Sequence, residues 1–318
     1  MSEKIAAIQW RTFFTGVFMA VADLVPGISG GTIALLSGIY GRLLAAISHF
    51  DLPLLKLILG GEMTKAWRYI DGFFLLHLGL GMVSTLLLVS KLIAWLMLAQ
   101  PLIMWSLFLG LILVASILLL RELSLENLLR RSWLLLGLAV SILLAKMSLL
   151  PQVDGFSGWG YLWLMAAGAL AISAMILPGV SGSFILLILG IYPFLIQSLA
   201  ALDLQVITIF AVGCGLGLMV FSRLISHLLK QYTAAVMSML AGLMLGSVVK
   251  LWPWKHTISY RLNSHGLEVP LQQENLMPWA YSNFTGAESQ LGWCVLVFVL
   301  AGLLVVKFGR VKLQDLAA

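Results

Sequence analysis

Charge is what this chain has least of. Of its 318 residues only 10% are Asp, Glu, Lys or Arg, against 61% hydrophobic, and the mean hydropathy is +1.04. That leaves too little polar surface to cover a soluble globule of this size, so composition requires an integral membrane protein. Cysteine is scarce as well. Cys214 and Cys294 lie in apolar runs without the spacing of a metal knuckle or a disulfide framework, and read as packing residues. The apolar runs do not alternate every second residue, which excludes a transmembrane barrel and leaves helices. No phosphate loop for ATP is visible and no cofactor is implied. Gly79 and Gly81, like Gly213, Gly215 and Gly217, fall within apolar runs and read as close-packing positions. The excess of 19 Lys and Arg over 13 Asp and Glu sits mostly at the ends of apolar runs, where it sets orientation in the membrane rather than binding nucleic acid.

What is present is a duplicated helix breaker. Residues 22–40 contain Pro26, Gly27, Ser29, Gly30, Gly38, Ile39 and Tyr40; residues 174–192 repeat them without a gap as Pro178, Gly179, Ser181, Gly182, Gly190, Ile191 and Tyr192. Arg11, an apolar run and Ala20-Val21-Ala22 before Asp23 have the look of a secretory signal, but cleavage there would destroy half of a repeat whose twin at 160–178 is internal.

The remaining runs give an organisation. Residues 11–25 and 32–48 flank the first break, each half about 22 to 26 Å long, short of the roughly 30 Å hydrocarbon core. Residues 49–72, with Lys56, Lys65 and Arg68 among Leu and Trp67, read as an interfacial amphipathic insert. Full spans are expected at about 73–97, 101–120 and 133–150. The second broken element covers about 160–201, and further spans fall at about 206–229 and 232–251. A polar segment, 252–290, leads to a last span at 291–308.

Charge decides how the broken elements sit. If both are re-entrant hairpins, Lys4 and Arg11, the loop with Arg42, Lys56, Lys65 and Arg68, the loop with Arg121, Arg130 and Arg131, the turn near Arg223 and Lys230, and the tail with Lys307, Arg310 and Lys312 share one face, the cytoplasm. Both termini are then cytoplasmic, and the loops near 98–101, 151–160 and 201–205, free of Lys and Arg, face outward. Lys250, Lys255 and Arg261 are the exception, since they begin the external segment.

The repeat extends further at a shift of 132: Ser90-Lys91-Leu92-Ile93 matches Ser222-Arg223-Leu224-Ile225, and Ser106 and Gly110 match Ser238 and Gly242. Each repeat is a hairpin plus two spans (11–120 and 160–251), and the single span 133–150 between them turns the second upside down. The expected fold is a single all-α membrane domain, 1–318, with an inverted-topology repeat, two oppositely inserted re-entrant hairpins and about six full transmembrane helices. Interrupted helices meeting near the midplane are a transporter signature. Duplication serving packing alone is the competing reading.

Candidate functional residues follow from the breaks. Gly and Ser leave N–H groups free at the start of each second half-helix, where an anion is favoured and Gly permits close approach. Ser29, Gly30, Gly31 and Thr32, with Ser181, Gly182 and Ser183, are candidates for an anion cradle, or the hydroxyls only cap their half-helices. Lys91 and Arg223 occupy matched positions near opposite membrane faces. Each either receives a phosphate-like headgroup or snorkels to the interface. Lys146 reads as a snorkelling anchor. Asp23, with Met175 at its repeat position, either couples transport to a proton or a sodium ion, or fixes the hairpin. His49, His77 and His227 lack ligand spacing and read as structural.

The paired Pro-Gly-(Ile/Val)-Ser-Gly segments, each followed by Gly-Ile-Tyr, resemble the polyprenyl-phosphate translocase family, once known only as a domain of unknown function. The resemblance covers nearly the whole chain. It implies a bacterial cytoplasmic-membrane transporter, not an enzyme, that returns undecaprenyl phosphate from the outer to the inner leaflet for cell-wall (peptidoglycan) synthesis. Pro26 to Thr32 and Pro178 to Ser183 would be its re-entrant tips. The second copy departs at Ser183 and Phe184, where the first has Gly31 and Thr32. The runner-up is an ion-coupled carrier or channel for a small soluble anion. A membrane lipid phosphatase would need a nucleophile or metal cluster, and none is apparent.

Overall fold

The computed structural model describes residues 2–25, 29–123, 127–147, 150–151, 153, 155–262 and 268–309. Pro26 and Gly27 of the first tip, and Arg310 and Lys312 of the tail, lie outside the described residues. The chain is mainly helical. α1 (Ser2–Leu24) leads into the short α2 (Gly30–Leu36) and α3 (Tyr40–Ser48). The insert forms α4 (Leu52–Leu59) and α5 (Met63–Tyr69) and is followed by α6 (Gly72–Leu88), α7 (Ser90–Ala99), α8 (Pro101–Glu122) and α9 (Leu128–Lys146). The second copy supplies α10 (Gly160–Ile176), α11 (Gly182–Ile188), α12 (Tyr192–Ala200) and the 48-residue α13 (Leu204–Leu251). Strands β1 (Lys255–Leu262) and β2 (Glu268–Asn275), then α14 (Pro278–Thr285) and α15 (Leu291–Phe308), complete it.

Several expectations are corrected. The fold is not all-α: β1 and β2 pair antiparallel, from Lys255 opposite Asn275 to Leu262 opposite Glu268. The apolar stretch 32–48 is not one half-helix, because Gly38 takes φ +72°, which L side chains avoid, and closes α2 with bonds from Gly38 N to Leu35 O and Ile39 N to Ala34 O. Gly190, at φ +70°, does the same for α11 through Leu187 O and Leu186 O. The duplicated Gly-Ile-Tyr is therefore a helix stop, and the chain bends by 118° between α2 and α3 and by 110° between α11 and α12. α13 is two helices joined across a kink at Tyr232 (φ −131°, ψ 40°), between the expected spans 206–229 and 232–251, whereas the expected span 73–97 is divided at Val89 into α6 and α7. Among the described residues α8, α9 and α13 are long and apolar enough to cross a membrane, and up to six elements qualify if each bent pair is one span.

Both copies pack alike. A Cβ on Gly16 of α1 would lie 2.1 Å from Leu78 O of α6, and one on Gly81 would lie 2.0 Å from Phe13 O. In the second copy Gly168 of α10 meets Phe210 O at 2.7 Å and Gly213 of α13 meets Met165 O at 2.1 Å, the same four positions displaced by the two sequence shifts. Small residues at a crossing let backbones approach where apolar burial alone gives no preference in lipid. Beyond this the partners cross over. α9 follows the first copy in sequence but packs on the second half of α13, with Gly242 against Leu134 O, whereas α15 follows the second copy and packs on α8, with Gly110 against Phe298 O.

Candidate functional site

The first tip is closed by its own side chains and by the second. Ser29 is the N-cap of α2: its hydroxyl accepts from Gly31 N at 3.1 Å and donates to Met175 O at 2.5 Å. Gly30 N donates to the Asp23 carboxylate at 2.7 Å, and the missing side chain on Gly30 allows that approach. Thr32 Oγ1 accepts from Gly179 N at 3.1 Å, and Gly31 lies against Ile176 O. Ser29 and Thr32 are completely buried. These hydroxyls hold one tip to the other, and the Asp23 carboxylate occupies the N–H that an anion would otherwise take.

The second tip differs. Ser181 makes no capping bond, and its hydroxyl lies 2.9 Å from that of Ser183. Gly179, Val180, Ser181 and Phe184 border a small, half-open cavity of about 20 Å³, lined on its other sides by Ser141, Leu144 and Ala145 of α9 and by Ser247 and Lys250 of α13. The Lys250 ammonium rests on the Phe184 ring. Close by, Lys255 donates to Lys250 O at 2.5 Å and lies 4.1 Å from the centre of the Trp105 ring. Burial lowers the Lys255 ammonium from 10.5 to about 8. Among the described residues no carboxylate pairs with either lysine. Desolvating an unpaired ammonium costs several kcal/mol, and an aromatic face returns about 0.5–2 kcal/mol. That shortfall is met either by a bound anion or by loss of the proton.

The cavity's cation is present in one copy alone. At the repeat positions of Lys250, Ser247 and Phe184 stand Leu118, Ala115 and Thr32. A twin of the cavity at the first tip would carry no cation there.

The sequence-predicted site residues thus divide. Ser181, Gly182 and Ser183 lie at or next to the cavity, whereas Ser29, Gly30, Gly31, Thr32 and Asp23 are engaged in the tip-to-tip contacts. Arg223 is not brought to either tip: it donates from Nε to Ser48 O at 3.2 Å and from Nη2 to Phe50 O at 2.6 Å, the last carbonyl of α3 and one just beyond it. Lys91 is exposed on α7, and Lys146 ends α9, also exposed.

The profile of the undecaprenyl phosphate translocase-like family matches residues 19–269. The chain belongs to that family. Its relatives include a polyprenyl-phosphate transporter of Vibrio cholerae serotype O1, 41% identical over 298 residues, which are 93% of this chain and 94% of the relative. A polyprenyl-phosphate transporter of Staphylococcus aureus is 29% identical over 258 residues, 77% of this chain and 87% of the relative. No solved structure matches the chain. The family match runs from before Asp23 to beyond Lys255, so it takes in both tips and every residue of the cavity.

Sequence reasoning passed over Lys250, Ser141 and Ser247. A signal for Lys250 existed: with Lys255 it broke the pattern of loops free of Lys and Arg that were expected to face outward. Phe184, noted only as a departure from the first copy, supports the Lys250 ammonium.

Proposed function

We propose that this chain is a polyprenyl-phosphate transporter that carries undecaprenyl phosphate from the outer to the inner leaflet, for reuse in cell-wall synthesis. The observation that carries the reading is the serine-lined cavity at the second tip with the unpaired Lys250 ammonium in it. A phosphate monoester asks for a cation, several O–H or N–H donors and removal from bulk water, and Lys250, Ser141 and Ser181 meet those needs together, while the Ser247 hydroxyl donates to Met244 O. A second feature favours a lipid over a soluble anion. Leu144 and Ala145 line the cavity while their neighbours Leu143 and Met147 on α9 are exposed, so only one helix separates the headgroup position from an apolar outer surface.

In this reading the two broken elements are re-entrant hairpins inserted from opposite faces, with both termini cytoplasmic. The cavity then opens toward the outer face, where the 252–290 segment lies, and the prenyl tail stays in lipid beside α9. Ser29, Thr32, Met175 and Gly179 keep the tips in register while the headgroup passes the second. Asp23 holds Gly30 N at the start of α2, and coupling to a proton or sodium ion would require it to leave that N–H.

Reconstitution in vesicles tests this. Labelled polyprenyl phosphate placed in one leaflet is expected to equilibrate with the other faster than in protein-free vesicles, while inorganic phosphate stays on its own side. Absence of lipid transfer would overturn the proposal, and passage of inorganic phosphate at a comparable rate would favour the soluble-anion carrier.

A further inference from the structure

The positive charge does not stop at the cavity wall. Lys255, the first residue of β1, is packed against Trp105 of α8, and its one described hydrogen bond goes to the carbonyl of Lys250. On the paired strand Asn275 stands opposite it and Glu274 opposite its neighbour His256. None of these side chains forms an ion pair with Lys255 among the described residues. Two ammonium groups are therefore ranged from the β1 end of the chain toward the serines, each resting on an aromatic ring, Trp105 and then Phe184. An aromatic face holds a cation less strongly than a phosphate oxygen does, so both lysines can exchange ring for anion.

We propose that Lys255 and Lys250 are successive stations for one phosphomonoester. Lys255 takes the group at the mouth, beneath the β1–β2 hairpin, and passes it to Lys250 and the serines. The proposal rests on the transport reading for the direction of passage and goes beyond it in naming a receiving cation outside the cavity lining. The backbone keeps the two together: the Lys255 ammonium is tethered to the carbonyl of Lys250, the residue whose side chain is the next station. Trp252 and Trp254 brace the connecting turn by donating to Leu276 O and Ser289 O. The shared chemistry, a phosphomonoester, belongs to a prenyl lipid and to free phosphate alike, and the experiment separates them.

The full chain in lipid nanodiscs is treated with an amine-acylating reagent, and modification of each lysine is read by mass spectrometry with farnesyl phosphate, farnesol or inorganic phosphate present. Farnesyl phosphate is expected to lower modification of both lysines by about tenfold at saturation, as a charge-assisted contact would, and farnesol to leave it unchanged. In Lys250→Gln, Lys255 should still be protected; in Lys255→Gln, half-protection of Lys250 should need several-fold more ligand. Modification of Lys255 that ignores farnesyl phosphate, or protection of Lys255 that disappears in Lys250→Gln, overturns the relay. Equal protection by inorganic phosphate assigns the stations to the free anion and overturns their part in lipid transport. Leaflet transfer in the same preparation keeps the two readings apart: transfer with unprotected lysines sinks the relay alone, and protection without transfer sinks the transport reading alone.

Discussion

Replacing Lys250 by methionine shortens the side chain by one atom, keeps much of its volume and removes its charge. At roughly 4 Å and an effective dielectric of about 20, a unit charge interacts with a phosphate charge by about 4 kcal/mol. Desolvation offsets part of this, and the net value of a hydrogen bond to a charged group is about 1.5–3 kcal/mol, which corresponds to roughly 10- to 150-fold in affinity. The assay is initial leaflet transfer of labelled polyprenyl phosphate well below saturation, where the rate follows affinity. A structural role predicts something else, a loss of stability. Here the change removes an unpaired, desolvated cation, a relief of several kcal/mol, and forfeits a ring contact of about 0.5–2 kcal/mol. Lys250→Met should therefore transport at least about tenfold less while melting no lower than the parent. Transfer within threefold of the parent, or a lower melting temperature with proportionate loss of transport, would refute the reasoning.

The tip hydroxyls should act mainly through stability. Ser29→Ala loses a cap and a bond to Met175 O, about 1–3 kcal/mol by thermal unfolding, and combined with Ser181→Ala it should impair transfer more than either change alone. Asp23→Asn keeps an oxygen for Gly30 N, so the pH profile of transfer should be unaltered; a flattened profile would show instead that Asp23 titrates during the cycle. Arg223→Ala should leave affinity for farnesyl phosphate unchanged and lower the unfolding temperature, because it frees the Ser48 and Phe50 carbonyls; weaker binding would restore Arg223 to the headgroup path. Lys255 carries a pH signature of defined sign. Its ammonium falls from 10.5 to about 8 on burial, so between those values the unfolded chain holds more protons and stability should rise with pH. Melting measured from pH 8 to 10 checks this against Lys255→Met, which should lack that rise.

Much of the architecture is written in the sequence because duplication leaves two readings of each position. Gly16 and Gly168, or Gly81 and Gly213, are recognisable as equivalent before their crossings are seen, and the crossings agree. Gly38 and Gly190 were visible as a motif but not as helix stops, since an apolar stretch gives no sign of φ. The β1–β2 hairpin hides in a polar segment, although Ile258, Tyr260 and Leu262 alternate as a strand should. The site was less legible. Ser29 bonds to the carbonyl of Met175, Gly179 N to Thr32, and Lys255 to the carbonyl of Lys250. Backbone partners of this kind leave no mark on residue identity. The charge of Lys250 did leave one, as an exception to the distribution of basic residues.

The exchanged positions of α9 and α15 have a consequence for how the chain comes into being. The helix that completes the packing of α8 is made only after the second copy, so the glycine surface around Gly110 must wait for it through the synthesis of that whole copy. The second copy has no such delay, because α9 is already in place when α13 emerges. A half-length ancestor built on the same plan could not have closed its own surface at all. Carrying that third helix on the same chain replaces an association between molecules by an order of events within one.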